Sequence, residues 1–355
     1  MAREPDSDES AEQLALVAAR LGDQAAFSRL SERYRHQLRV HCYRMLGSFD
    51  AAEDMVQETL LRAWRGREGF EGRSLLRTWL YRIATNACLN FLERAPARVL
   101  PADVSAPVTA ATPATEARSS PPRALEIPWL QPYPDHLLDE AAAPEGSEPD
   151  AALAARQSIE IAFLAALQHL PPRQRAILIL CDVVGWSAAE VAELLELSVA
   201  AVTSTLQRTR STLRERLPAG RGDWAPSVPV TEQQRAALKS FMLAWEQDDP
   251  AELTRVLRDD ARWSMPPAPL WFEGRAAIEN LLRLFPPGWQ GRQFKMLPLP
   301  GANRQPAAAA YVRSSGGSAF QLSSVHVLRV ESGKIAEITT FSSELCAGFQ
   351  LPVSL

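Results

Sequence analysis

Several things are scarce in these 355 residues. There are four cysteines, Cys42, Cys88, Cys181 and Cys346, widely spaced and without a C-x-x-C pair. That spacing excludes a zinc-ribbon type of site and a disulfide framework, and leaves buried free thiols as the expectation. The longest apolar run, around Ala176 to Cys181, is far short of the ~20 residues that a bilayer span needs. The N-terminal stretch MAREPDSDES is acidic and has no apolar segment, so it does not read as a secretory signal, and a cytoplasmic protein without membrane contact is expected. No internal repeat is visible. Charged residues at 23% and hydrophobic ones at 46% exclude wholesale disorder. The length allows two or three compact units.

The net charge of −4 hides an uneven distribution. Residues 20–95 hold thirteen arginines against nine carboxylates, and residues 100–155 hold nine carboxylates against two arginines. A locally basic face is enough to attract phosphates, so global acidity does not exclude a nucleic-acid partner.

Periodicity divides the chain. Residues 1–19 read as an acidic flexible terminus. Residues 20–95 are helical throughout, with apolar positions at Phe27, Leu30, Tyr34, Leu38, Met45, Val56, Leu60 and Trp64. Residues 96–155 collect Pro, Ala, Ser, Thr and acids, a composition too polar to bury a core of its own, and read as a linker. Inside it, Ile127 to Asp135 holds two aromatics among three prolines, which suits a preformed docking segment. Helical periodicity returns over 156–217, broken at Pro171-Pro172 and at Gly185. A short linker, 218–230, precedes a unit at 231–345 and a tail at 346–355. That unit opens with a helix near Thr231–Arg258. After a stretch at Arg262–Met265 and a helix near Arg275–Leu284 come alternating stretches 308–313, 319–330 and 335–341, with turns at 315–317 and 331–334. The fold class expected is multidomain: two all-α domains and a C-terminal α+β unit with an antiparallel sheet.

Three local patterns carry chemistry. In the first, Ser187 and Glu190 form a capping box that starts one short helix, Leu197-Ser198 makes a turn, and Ser198 caps a second helix. On that second helix Val202, Leu206, Thr209, Leu213 and Leu217 share a core face. Ala200, Ala201, Thr203, Ser204, Gln207, Arg208 and Ser211 are left outward. Small residues at the N-terminal end would let the helix enter a major groove, where Gln and Arg pair with base edges. Arg210 and Arg214 on the flank suit phosphates. An ordinary helical hairpin with a solvated basic face has the same pattern.

In the second, Asp54, Gln57, Glu58 and Leu61 form one stripe of the helix Ala51–Trp64, whose other face, Val56, Leu60 and Ala63, points inward. Such a stripe is either a solvated face or a dock for another protein's helices. In the third, within 72–94, Leu76, Leu80, Ala87 and Phe91 form a buried face, and Trp79, Asn86 and Asn90 line an adjacent stripe flanked by Arg77 and Arg82. These residues offer a π-platform, edge-reading amides and phosphate partners for unstacked bases, or equally a core Trp beside surface asparagines.

The segments Asp50–Trp64 (DAAEDMVQETLLRAW), Leu76–Asn86 (LRTWLYRIATN) and Leu170–Ala176 (LPPRQRA), followed by the helix-turn-helix, together resemble an extracytoplasmic-function (ECF) sigma factor of bacterial RNA polymerase, over about 20–95 and 156–217. The WLQPYPD segment at 129–135 and the trailing α+β unit resemble the sigma-G-like branch, which carries a C-terminal SnoaL-like domain of the NTF2 superfamily. The resemblance implies a factor that binds core polymerase and directs it to promoters. Asp54, Gln57, Glu58 and Leu61 would meet the clamp helices of the largest subunit, and the 156–217 domain would meet the flap of the second-largest.

It further implies that the loop from Phe70 to Ser74 captures a flipped base of the minus-ten element beside Arg77, Trp79, Arg82, Asn86 and Asn90. Ala200, Thr203, Ser204, Gln207, Arg208, Arg210 and Arg214 would meet the minus-thirty-five element. Many relatives carry arginines where Thr203 and Thr205 stand here, so base preferences do not transfer.

For the C-terminal unit the resemblance implies a cone-shaped fold whose pocket could take an unknown small molecule. Asp259, Asp260 and His326 would be its titratable groups, and Trp263, Met265, Trp271 and Phe341 its walls. Regulation in cis is expected of it rather than catalysis, with no metal and no cofactor. The alternative is a SnoaL-type enzyme or ligand sensor fused to a DNA-binding repressor.

Overall fold

The computed structural model describes residues 7–70, 75–112, 127–139, 159–216, 231–283 and 291–355. The first unit is built from helices α1 (Ser7–Arg20), α2 (Gln24–Leu46), α3 (Phe49–Gly66) and α4 (Leu76–Leu92). Asp23 caps α2 by accepting the Ala26 N–H at 3.0 Å, and Gly47, at φ 66°, ends it in the left-handed conformation. Ser48 then caps α3 through Ala51. Leu38, Tyr43, Met45, Ala52, Val56, Ala63, Leu80 and Ala84 fill the core between them.

The expected flexible terminus is corrected here, because a helix begins at Ser7. Ala19 is buried and Ala15, Leu16 and Ala18 pack on the core. Its run of Ala and Leu favours helix whatever the charge of the flanking residues.

The linker is partly ordered where it is described, and its island at residues 127–135 is docked. Val99 N–H donates to Pro128 and Leu130 N–H to Val99, so two stretches of it pair with each other. Trp129, Leu130 and Tyr133 are buried. A short helix, α5 (Asp135–Asp139), follows. This segment has no core of its own; it borrows one by inserting its few large side chains between neighbouring units.

The second helical unit comprises α6 (Ile161–Gln168), α7 (Pro172–Leu178), a π turn (Ile179–Val183), α8 (Ala188–Leu195) and α9 (Val199–Arg216). Pro172 opens α7 at its first position, where its missing N–H costs nothing. The Ser187–Glu190 capping box is present, and Ser198 accepts the Ala201 N–H at 3.1 Å. Val202, Leu206, Thr209 and Leu213 are buried as their spacing predicts; Leu217 lies outside the described residues.

The C-terminal unit begins with α10 (Glu232–Glu246) and α11 (Pro250–Arg255). The single helix expected over 231–258 breaks at Asp249, which caps α11 through Glu252, and the chain is already a strand from Leu257. Six strands follow, with α12 (Arg275–Arg283) after the second: β1 (Leu257–Ser264), β2 (Trp271–Glu273), β3 (Gln293–Pro298), β4 (Ala307–Arg313), β5 (Gln321–Glu331) and β6 (Lys334–Ser342). Their order is β2-β1-β6-β5-β4-β3. The sheet is mixed rather than purely antiparallel, because β1 pairs with β6 in parallel.

Its two faces go to different partners. Trp263, Ala308, Ala310, Leu328 and Ile338 face α10, α11 and α12. Ala307, Ala309, Tyr311, Val325, Val327 and Phe341 belong to the core shared with the helical units and the linker. Linker residue Val108 adds to the β2 edge, donating to Trp271 O at 2.9 Å and accepting from Glu273 N at 3.0 Å.

Candidate functional site

On α3, Asp54 and Gln57 are exposed and Leu61 is 43% exposed. Glu58 is half-buried and pairs with Arg62 one turn on, at 2.6 Å. Val56 and Ala63 are fully buried beneath this stripe, and Leu60 is partly so. The stripe is one wall of an open groove whose other wall is the end of α4 and the residues after it: Asn90, Phe91, Glu93 and Arg94. Sequence reasoning missed this second wall, apart from Asn90. The period of α4 placed Phe91 in the core, whereas it is only partly buried and faces the groove.

On α4, Asn86 and Asn90 are exposed. Trp79 is partly buried, with its ring centroid 4.9 Å from that of Phe70, which is itself buried. Together they line a small apolar hollow with Leu16, Ala19, Phe27, Leu30 and Leu80. Arg77 lies over the Tyr81 ring at 5.2 Å. Arg82 donates to Glu193 of α8 at 2.9 Å, and Tyr81 meets Trp186 with centroids 5.9 Å apart. The second helical unit is therefore docked on α4. Ser74 lies outside the described residues.

On α9, Ala200, Thr203, Ser204, Gln207, Arg208 and Arg214 are all exposed. Thr203 and Ser204 turn their hydroxyls back onto the carbonyls of Val199 and Ala201. Arg210 differs, being held by Asp182 of the π turn through two hydrogen bonds, at 2.9 and 2.5 Å. No sequence signal marked Asp182, because the pair spans 28 positions.

Three tight polar junctions hold the units together. Tyr43 of α2 donates to Gln131 O at 2.6 Å, and the Gln131 side chain bonds Ser48 and Asp50, each at 2.8 Å. Asn303, fully buried and at φ 54°, donates to Tyr43 Oη and Ile159 O and accepts from Tyr133 N. Asp135 accepts from Arg304 N at 2.8 Å. Gly301, at φ 151°, lies so close to this carboxylate that a Cβ there would overlap it. Glycine is required there for both reasons.

The residues expected to line one pocket in the cone fall on two faces of the sheet, which corrects that expectation. Trp263 and His326 lie with Met265 on the α10 side. Phe341 lies on the other side, and Trp271 points away from its neighbour Phe272 toward the linker, donating to Ser105 O at 2.9 Å. Strand alternation decides this, and the registers needed to see it are long-range. Asp259 and Asp260 are exposed and paired with Arg275 and Arg258.

His326 is 3% exposed, bonded through Nδ1 to Thr340 Oγ1 at 2.8 Å and through Nε2 to Ser324 Oγ at 3.4 Å. Trp263 Nε1 donates to the same Thr340 hydroxyl. Burial pushes the pKa of His326 down to about 3, and burial next to Arg44 does the same to His41. Both folded values lie below the unfolded one, so the unfolded chain takes up more protons as pH falls below about 6.5 and stability is lost toward pH 3, at up to about 1.4 kcal/mol per unit per histidine. His326→Gln is expected to flatten this acid dependence in denaturant titrations between about pH 7 and pH 4; an unchanged slope would contradict it.

Among the described residues no group of three His, Cys, Asp or Glu side chains could hold a metal, and no helix is long and apolar enough to cross a membrane. The four cysteines are free thiols, three of them buried.

Comparison with known proteins bears on this arrangement along its whole length. The Sigma-70 region 2 family matches residues 30–97, Sigma-70 region 4 matches 160–213, and the SnoaL-like domain matches 238–338. The ECF RNA polymerase sigma factor SigG of Mycobacterium tuberculosis is 41% identical over 330 residues, which cover 93% of this chain and 85% of the relative. SigW of Bacillus subtilis is 29% identical over 197 residues, 55% of this chain and 91% of SigW. The crystal structure of the Mycobacterium tuberculosis extracytoplasmic function sigma factor SigJ shares the fold, with a TM-score of 0.54 at 20% identity, over 92% of this chain and 99% of that one. The open α3 stripe, the helix-turn-helix with its exposed α9 face and the appended cone thus have one explanation: the chain belongs to the ECF RNA polymerase sigma factors, in the form that carries a SnoaL-like domain at its C-terminal end.

Proposed function

We propose that this sigma factor docks on the clamp helices of core polymerase through Asp54, Gln57, Glu58 and Leu61 and on the flap through residues 156–217. In this reading Phe70, Ser74, Trp79, Asn86 and Asn90, flanked by Arg77 and Arg82, hold an everted minus-ten base. Extruding a base costs a few kcal/mol, so a site that takes only the unpaired base couples recognition to melting. Ala200, Thr203, Ser204, Gln207, Arg208 and Arg214 face the minus-thirty-five element. The work is done in the cytoplasm. Sigma factors as a family are initiation factors and not enzymes, and the cone is read here as a regulator in cis without catalysis.

One observation carries the regulatory part: the α3 stripe is open while Tyr81 and Arg82 of α4 are engaged by the second helical unit. Arg82 is tied to Glu193, one helix away from α9. Promoter elements named ten and thirty-five lie about 25 base pairs apart, roughly 85 Å at 3.4 Å per pair. An α9 of 18 residues is only about 27 Å long. The closed chain can therefore meet polymerase but cannot span a promoter. The linker island, joined to the first unit at Gln131, and the cone, joined to both at Asn303, hold it closed.

Run-off transcription with core enzyme on genomic fragments tests the function: specific start sites are expected, and none on any template would refute it. Glu58→Lys sets a third positive charge against Arg62 and Arg65 on the polymerase-facing helix. It should abolish co-purification with core polymerase while leaving the helical content unchanged. Retained co-purification would remove the docking assignment.

A further inference from the structure

The recognition helix α9 carries its outward residues in two rows. Ala200, Ser204, Arg208 and Ser211 stand opposite the buried Val202, Leu206, Thr209 and Leu213, at 100° per residue. Thr203, Gln207, Arg210 and Arg214 run along one flank. Within that flank Arg210 is the one whose charge is matched among the described residues by a carboxylate from another element. Its Nε donates to Asp182 Oδ2 at 2.9 Å and its Nη2 to Oδ1 at 2.5 Å, a bidentate pair with side chains 44% and 28% exposed.

The backbone is built to present that carboxylate. The helix α7 continues into a π turn, closed by Val184 N–H donating to Ile179 O at 2.9 Å, and Trp186 N–H reaches Leu180 O at 2.9 Å. A π turn shifts the side chains after it around the helix relative to an α register, and such turns recur where a side chain must be re-aimed. Here Ile179, Leu180 and Val183 go into the core and Asp182 comes out beside α9.

We propose that Asp182 is a positioning residue that withdraws Arg210 from the phosphate contacts of α9, so that the sequence-independent affinity of this module stays low and Gln207 and Arg208 on the outward surface govern binding. This rests on α9 being the DNA-facing helix. A bidentate arginine–carboxylate pair satisfies the guanidinium and cancels its charge, and a cancelled charge releases no counterion on binding. Asp182 costs the module one phosphate contact that Arg210 could otherwise make.

The test uses holoenzyme assembled from the full chain and core polymerase, a random-sequence duplex, and the strongest start-site fragment from run-off transcription. Asp182→Asn keeps the size and a hydrogen-bonding oxygen but removes the charge. It should steepen the dependence of log affinity on log salt by about 0.9, which makes affinity fall about 3.5-fold further than for the unaltered protein between roughly 0.1 and 0.4 M salt. Arg210→Gln should leave the slope where it was, and the double variant should return to the unaltered slope. Thermal unfolding of each variant separates loss of fold from loss of charge, and a merely structural pair would move the unfolding temperature without moving the salt slope.

An unchanged slope for Asp182→Asn, or a slope shallower by about 0.9 for Arg210→Gln, overturns the proposal, because Arg210 would then be either irrelevant to phosphate or already on it. The start-site arm stands apart. Absence of any start site with the unaltered chain sinks the sigma reading of α9, whereas normal start sites with unmoved slopes sink only the role of Asp182.

Discussion

Asn303→Ala is expected to open the molecule without unfolding its parts. The Asn303 side chain accepts the Tyr133 N–H at 2.8 Å and donates to Tyr43 Oη at 2.9 Å and to Ile159 O at 2.7 Å, so one amide ties α2, the linker island and the entrance to the second helical unit to the cone. Alanine leaves a buried N–H and a buried carbonyl without those partners, about 1–3 kcal/mol each. It also loses the tolerance of asparagine for the left-handed backbone at φ 54°, a further ~1 kcal/mol. A loss of roughly 3–7 kcal/mol at a junction is comparable to the whole stability of a small domain.

Because α2, α3, α8 and α10 are closed by their own caps and the groups Asn303 holds lie at the seams between units, the loss should appear as separation. The radius of gyration in small-angle scattering should rise and the linker should be cleaved faster by protease, with helical circular dichroism retained. Scattering and protection identical to the unaltered chain would show that the junction does not hold the units together.

Arg175→Leu should instead damage the second helical unit together with its seam to α2. Arg175 is 1% exposed, and burial lowers its pKa to about 10, so it remains charged at neutral pH. It donates to Met45 O, to Gln168 Oε1 at 2.7 Å, to Gln168 O at 2.9 Å and to Leu170 O at 3.1 Å. Met45 lies in the last turn of α2, where the helix dipole favours a cation. Leucine has a comparable apolar bulk but leaves these acceptors buried and unmatched, a loss of about 3–5 kcal/mol. At roughly 4–8 °C per kcal/mol for a small domain, the unfolding of residues 159–216 should move down by roughly 12–40 °C. Calorimetry or amide exchange in α6 and α7 would read it, and a shift under about 3 °C would refute the assignment.

These two residues also show what local pattern conveys and what it leaves out. Arg175 sits in the LPPRQRA segment that the sequence marks, yet nothing local says that its guanidinium reaches α2, 130 positions away. Asn303 carries no pattern at all. By contrast, the capping box at Ser187, the cap at Ser198 and the buried positions Val202, Leu206, Thr209 and Leu213 were all legible, because caps and helical faces are fixed by residues three or four apart. The α3 stripe was legible for the same reason, and its opposite wall was not, since that wall is another helix. Acidic composition misled at the N-terminus, where helix propensity and the packing of Leu16 and Ala19 on the core win. In the linker the lack of a core of its own and the docking character of residues 127–135 were legible, but the surfaces that bury its aromatics were not, because they belong to other units.

The sequence by itself determined the two all-α parts and the α+β part, the caps at Ser187 and Ser198, the buried face of α9 and the family to which the chain belongs. Only the tertiary structure decided that Arg82 is tied to Glu193 and Arg210 to Asp182. The same holds for the parallel pairing of β1 with β6, and for Trp271 and Phe341 lying across the sheet from Trp263 and His326. The division has a physical cause. Periodicity and capping are short-range and are written in neighbouring residues. Ion pairs between units and the facing of a strand depend on registers between segments tens to hundreds of positions apart, which form only once the units have packed.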